Sequence, residues 1–259
     1  MRQFDVFVFD ENYDEAQGKL PQPPFTDPEL GWFFTSDWNK HLDEIEGEWV
    51  IFAHPSIKIN RNFLNNVAEV TDSFPMVDAF APRIRTDKGK FLGGYLLKPA
   101  AKGSGFVEID ENAPLRYVAA PHPFLAVFSR RIIQRTGGFD TTLPEYARLA
   151  DFTLRMMHAG GKMFSVPYLV AQATNEEAET VVSNASSEKA CGLMGVRDLK
   201  STAIVLSKAF GAEASVPFAL HHPSVIPTLL RNRKQRKEKR KAATLLSKLK
   251  ADFLKEVTL

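Results

Sequence analysis

The sequence predicts an α/β fold: a mixed, mostly parallel sheet flanked by helices, with a helical extension at its C-terminal end. Three observations carry this. Apolar, β-forming runs alternate with stretches of helical periodicity along the first two thirds of the chain, the pattern of a layered sheet with helical crossovers. The 259 residues suffice for one such domain and an appendage. Beyond residue 188 the apolar spacing is helical only.

In order, Phe4 to Asp10 alternates as a strand and ends in the polar cluster Asp10-Glu11-Asn12-Tyr13. A loop with Pro21, Pro23, Pro24 and Pro28 follows. Ser36 or Asp37 can cap a short helix running to Ile45. Glu48 to Ala53 reads as a buried strand stopped at His54-Pro55-Ser56, and a helix over 61–70 comes next. Strands are expected at 77–81, 91–97, 106–109, 125–128 and 163–171, and helices at 130–135 and 145–159, the latter two closed by Gly137-Gly138 and Gly160-Gly161. Further helices are expected over 188–210 and 223–257. The organisation is then a main domain over 1–172, its helical completion over 173–230, and a basic amphipathic tail over 231–259.

The single cysteine, Cys191, excludes an intrachain disulfide and suits a reducing compartment. The start of the chain lacks the apolar run of a signal peptide, and no stretch reaches the ~18 apolar residues of a membrane span. The expectation is a cytoplasmic protein, or one peripheral on the inner face of the membrane. A net charge of +2 conceals an asymmetry: residues 231–250 hold ten Lys or Arg and one acid, which leaves the rest of the chain net negative.

The run Phe124-Leu125-Ala126-Val127-Phe128-Ser129-Arg130-Arg131, then Gly137-Gly138-Phe139-Asp140, then Asp151-Phe152-Thr153-Leu154-Arg155, Gly160-Gly161-Lys162 and Val166-Pro167 resembles family 2 glycosyltransferases of the GT-A fold. The resemblance extends back through Asn39 and Gly47 to Ile57, so that it covers roughly residues 4–170. It implies a GT-A, Rossmann-like architecture, a nucleotide-sugar donor lying over the carboxyl ends of the strands, and transfer of the sugar to a glycan or lipid-linked acceptor, in surface polysaccharide synthesis. It places Asp10, Glu11, Asn39, His54, Ser56 and Arg155 on the donor side and His122 on the acceptor side.

The chain departs from the family where a divalent metal, Mn or Mg, would be held by two aspartates. The matching residues are His54 and Ser56. His54 with His222 is the alternative ligand pair, and a strand-end histidine beside a loop histidine is the other reading. The family's acid pair before the last helix falls on Arg148 and Leu149; Glu145, one helical turn earlier, is the candidate base, with Asp151 as a structural or secondary site residue. An Asp151–Arg155 pair within the helix is the plainer reading of those two.

In the tail, Leu245, Leu246, Leu249, Phe253 and Leu254 follow the basic run at helical spacing, which suits an anionic membrane surface, a partner subunit, or packing back on the acidic body. Nucleic-acid binding lacks aromatic interleaving to support it. A non-catalytic glycan-binding or scaffolding module of a synthase complex is the alternative to an enzyme.

Overall fold

A computed structural model of the chain describes residues 2–10, 13, 23–98, 105–173, 199–231, 233–234, 237–238 and 257–258. Glu11, Cys191, the expected helix over 188–198 and the apolar stripe 245–254 lie outside the described residues, as does the side chain of Glu145.

Among the described residues the principal sheet has nine strands. They are β1 (Phe4–Phe9), β2 (Leu30–Thr35), β3 (Trp49–Ala53), β4 (Ile57–Lys58), β5 (Ala79–Arg85), β6 (Phe91–Leu92), β9 (Arg116–Tyr117), β10 (Leu125–Ser129) and β11 (Met163–Ala173), with β7 (Tyr95–Leu97) and β8 (Phe106–Glu108) forming a separate hairpin. The order is β2-β1-β3-β10-β5-β11-β4. The long strands β2, β1, β3, β5 and β11 run one way, and β10 runs antiparallel between β3 and β5. β1 lies between two strands that follow it in the chain, so the order reverses there, and crevices at such a reversal take ligands at the carboxyl ends.

Three helices serve the sheet: α1 (Arg61–Ser73), α2 (Arg130–Thr136) and α3 (Glu145–His158). Asn60 caps α1 by accepting from the Phe63 N–H at 2.9 Å, a contact worth about 1 kcal/mol. Phe63, Leu64, Val67 and Val70, at helical spacing, bury against one face of the sheet with Val6, Ile51 and Val127. The opposite face carries Phe7, Phe9, Phe52 and Phe128, packed against Phe139, Phe152 and the helical extension. That extension is α4 (Leu199–Phe210), α5 (Ala212–His221) and α6 (Ile226–Arg231).

The structure departs from the expected elements in three places. Residues 30–35, between the proline-rich loop and the expected helix, carry a strand: the run Leu30-Gly31-Trp32-Phe33-Phe34-Thr35 pairs in parallel along all of β1. The helix expected over 36–45 contracts to one 3-10 turn, Leu42–Glu44. The loop containing it is tied down elsewhere: the Asp5 carboxylate, fully buried in β1, accepts from the N–H groups of Glu46 (2.8 Å) and Gly47 (2.7 Å). A side chain at 47 would meet the Asp5 nitrogen at 2.7 Å, so glycine is required there. The helix expected from 223 onward is preceded by α5, set off from α4 by Gly211 at φ 64°. The end of the chain returns to the body, with the Leu97 N–H donating to the Val257 carbonyl at 2.8 Å.

Candidate functional site

The register Val6↔Trp32 and Val8↔Phe34 sets four side chains on one face of β1 and β2. Beyond the carboxyl end of β1 the backbone turns, the Tyr13 N–H donating to the Asp10 carbonyl at 3.0 Å. On the other side the β3–β4 turn, closed by the Ile57 N–H on the His54 carbonyl at 2.9 Å, swings Pro55, Ile57 and Ile59 over the same face. Between them lies a cavity of about 400 Å³. Val8, Trp32 and Phe34 line it on the sheet side, Trp32 and Phe34 stacked at 6.1 Å, and Asp10, Tyr13 and Lys58 line it with polar groups. The indole N–H of Trp32 is buried without an acceptor among the described residues, a donor such sites use for a ligand. An apolar, aromatic volume with one acid and one base is the composition of a site for a flat ring bearing hydroxyl and anionic groups.

A second cavity, about 340 Å³, lies beside Arg83, Phe91 and Pro167. Its guanidinium donates to the main-chain carbonyls of Glu111 and Ala113, which leaves it less to offer a ligand.

At the carboxyl end of β3, the His54 ring stacks on Phe124 at 4.4 Å and the His54 main-chain N–H donates to the Phe124 carbonyl at 2.9 Å. Its Nδ1 lies 2.7 Å from Ser56 Oγ and accepts the Ser56 N–H at 3.2 Å, which places a neutral ring's proton on Nε2. His122 is fully buried, so an acceptor does not reach it in this conformation. Its Nδ1 accepts from the Phe124 N–H at 3.3 Å, and Nε2 is buried without a hydrogen bond among the described residues. Burial, and then the neighbouring His54, push its pKa down to about 3. It is a neutral ring at physiological pH and gives no charge to a phosphate.

His222 rests 4.8 Å from the ring of Phe218, and its pKa is lowered by burial, then by His221 and Lys98. Among the described residues no group of three His, Cys, Asp or Glu is placed to hold a metal ion. His54 and Ser56, a hydrogen-bonded histidine and a serine, do not fit a Mg²⁺ site, which calls for oxygen ligands and charge.

Asn39, Asp140, Asp151 and Arg155 come together as a brace. Asn39 accepts the Phe139 N–H at 2.7 Å and donates to its carbonyl at 3.0 Å. A Cβ at Gly138 would meet the Asn39 oxygen at 2.4 Å, which is why Gly precedes Phe139. Asp151, 2% exposed, pairs with Arg155 at 3.0 Å and with Lys208 of α4 at 2.5 Å. Lys208 also reaches Asp140 at 2.6 Å, and Arg155 donates to the carbonyls of Thr136 and Gly138. Asp151 and Arg155 therefore face each other and the 137–140 loop. Glu145 opens α3, with its side chain outside the described residues. Sequence reasoning missed Trp32, Phe34, Lys58 and Lys208. The Trp-Phe-Phe run signalled the first two; nothing local signalled the lysines.

No protein-family profile and no curated protein matches the chain. Solved structures do. The structure of GalNAc-T7 with UDP, GalNAc and Mn²⁺ aligns at a TM-score of 0.54 and 10% identity, over 93% of this chain. The chain spans about half (54%) of the length of that structure. The mannosyltransferase PcManGT from Pyrobaculum calidifontis, in complex with GDP-Man and Mn²⁺, aligns at 0.44 and 16% identity over 94% of this chain and 74% of its own. S. aureus TarS 1-349 with UDP-GlcNAc aligns at 0.46 and 14% identity over 93% and 79%. At 10% identity the likeness to the first of these is one of fold alone. The chain has a GT-A-like architecture: a mixed sheet flanked by helices, with a C-terminal helical extension.

Proposed function

We propose that the protein is a nucleotide-sugar glycosyltransferase, family 2-like, acting on a glycan or lipid-linked acceptor in surface polysaccharide synthesis. The observation that carries the reading is the cavity at the carboxyl ends of β1 and β2, within a GT-A-like fold. In this reading Trp32, Phe34 and Tyr13 enclose the nucleoside, and the indole N–H donates to it. Asp10 accepts from a ribose hydroxyl or a base N–H, and Lys58 neutralises the diphosphate. The side chain at 58 supplies part of the charge that two carboxylates and a cation supply in the family. Glu145 is the proposed base that takes the acceptor proton as the acceptor oxygen attacks the anomeric carbon and the nucleoside diphosphate leaves. Asn39, Asp151 and Arg155 hold the loop before α3 and so position that helix.

The test is turnover. Purified protein is incubated with UDP-, GDP-, CMP- and ADP-linked sugars and the released nucleotide is measured. Release from one donor that falls at least about a hundredfold in Glu145→Gln supports the assignment. The absence of both binding and turnover with every donor refutes it.

A second reading, a non-catalytic glycan-binding or scaffolding module, draws on Arg148 and Leu149 where the family has acids. It predicts donor or glycan binding with no release of nucleotide.

A further inference from the structure

The helical extension presents a surface that donor binding does not use. Val216 and Leu220 on α5 are 51% and 74% exposed, and Ile226 and Leu230 on α6 are 43% and 63% exposed. Each pair is spaced four residues apart, so each lies on one side of its helix. The short 3-10 turn Pro223–Val225 joins the two helices. Ser215, Phe218 and Val225 point the other way and are buried in the body. The apolar side chains left outward are large and lie on either side of one short turn, and exposed apolar groups of this size mark interaction surfaces.

Charge identifies the partner. No acid occurs from residue 214 to 237, whereas Arg231, Arg233, Lys234 and Lys237 follow directly, helical and exposed. The rest of the chain is net negative, so this region is its cationic pole. A nucleic acid would satisfy the cations and leave Leu220 and Leu230 in water. An anionic bilayer takes both: headgroups neutralise the Lys and Arg while the acyl boundary receives the Leu and Ile side chains. We infer that the α5–α6 face, with Arg231, Arg233, Lys234 and Lys237, docks the protein on an anionic lipid surface.

The experiment is co-sedimentation of the full chain with phosphatidylcholine vesicles, with and without about one part in three of phosphatidylglycerol. Binding is expected only with the anionic lipid and is weakened by salt. The double variant Leu220→Glu, Leu230→Glu, altered at exposed positions, is expected to lose at least about tenfold in vesicle affinity. The fourfold variant to Gln at 231, 233, 234 and 237 loses about fivefold per charge. Circular dichroism and the thermal midpoint confirm that both variants fold, and nucleotide binding stays at the parental value whether or not the donor reading holds. Equal binding to both vesicle types overturns the inference. So does parental vesicle binding by the Leu variant, or a concentration-dependent dimer that the Leu substitutions dissolve. Salt-dependent RNA binding without vesicle binding also overturns it.

Discussion

The ammonium of Lys208, on the helical extension, lies 2.5 Å from the carboxylate of Asp151 on α3, and both side chains are almost fully buried. With Asp140 and Arg155 completing the cluster, the extension is locked to α3 and the loop before it. Removing one partner leaves a buried charge uncompensated. Lys208→Met is therefore expected to lose about 3–5 kcal/mol in chemical denaturation. A loss below about 1 kcal/mol would mean that the cluster contributes little to holding α4 in place.

Asn39 and Phe139 are far apart in the chain and joined by two hydrogen bonds. Asn39→Ala frees the Phe139 N–H and carbonyl at once, at an expected cost of about 1–3 kcal/mol. Gly138→Ala forces its new methyl against Asn39 and is expected to cost a similar amount. If the contact is the cause, adding Gly138→Ala to the Asn39→Ala variant costs clearly less than adding it to the parent. Additive losses would assign the glycine another role.

Two groups, the fully buried His122 and the half-buried Glu108, titrate in opposite senses. His122, lowered from 6.5 to about 3, binds fewer protons folded than unfolded, so its contribution to stability is lost as pH falls through that window. Glu108, on β8, is raised from 4.5 to about 7, chiefly by burial, so stability is lost as pH rises through its window. Each slope reaches up to about 1.4 kcal/mol per pH unit. They oppose each other between the two usual pKa values, so each is expected to emerge in the variant lacking the other. In Glu108→Gln, stability climbs with pH from about 3 to 6.5, and in His122→Asn it declines from 4.5 to about 7. Urea titrations across this range measure both; identical profiles in the two variants would contradict the assignment.

Neither His54 nor Ser56, which the sequence resemblance sets where a metal would be held, is a carboxylate. Chelation with EDTA is accordingly expected to change the affinity for a nucleoside diphosphate by less than about twofold. Lys58→Ala is expected to weaken binding of the diphosphate about tenfold and binding of the bare nucleoside hardly at all. Calorimetric titrations with UDP and uridine, or their guanosine or cytidine counterparts, distinguish the two effects. A large loss on chelation would locate a metal site in residues other than these.

The run from Leu125 to Pro167 was legible because its signals are local. Ser129 ends β10 and caps α2 by accepting the Ile132 N–H, and Gly137 closes that helix at φ 83°. The apolar positions of α3 repeat at helical spacing and fill the core. β2 was hidden by the prolines before it and by a sequence apolar on both sides, Trp32 and Phe34 on one and Phe33 on the other, with no alternation to read. The cavity depends on β2 and was hidden with it. The partners of Asp151 were legible only in part: Arg155 lies one helical turn away, while Lys208 is joined by tertiary packing.

The central claim is that the cavity between Asp10 and Lys58 receives the nucleoside of a sugar donor. A crystal structure of the protein soaked with UDP, GDP and CMP compounds in turn tests it most directly. The account predicts one nucleotide with its base against Trp32 and Phe34, its ribose on Asp10 and its phosphates toward Lys58. A nucleotide bound elsewhere with this cavity empty, or no nucleotide bound at millimolar concentration, would contradict it.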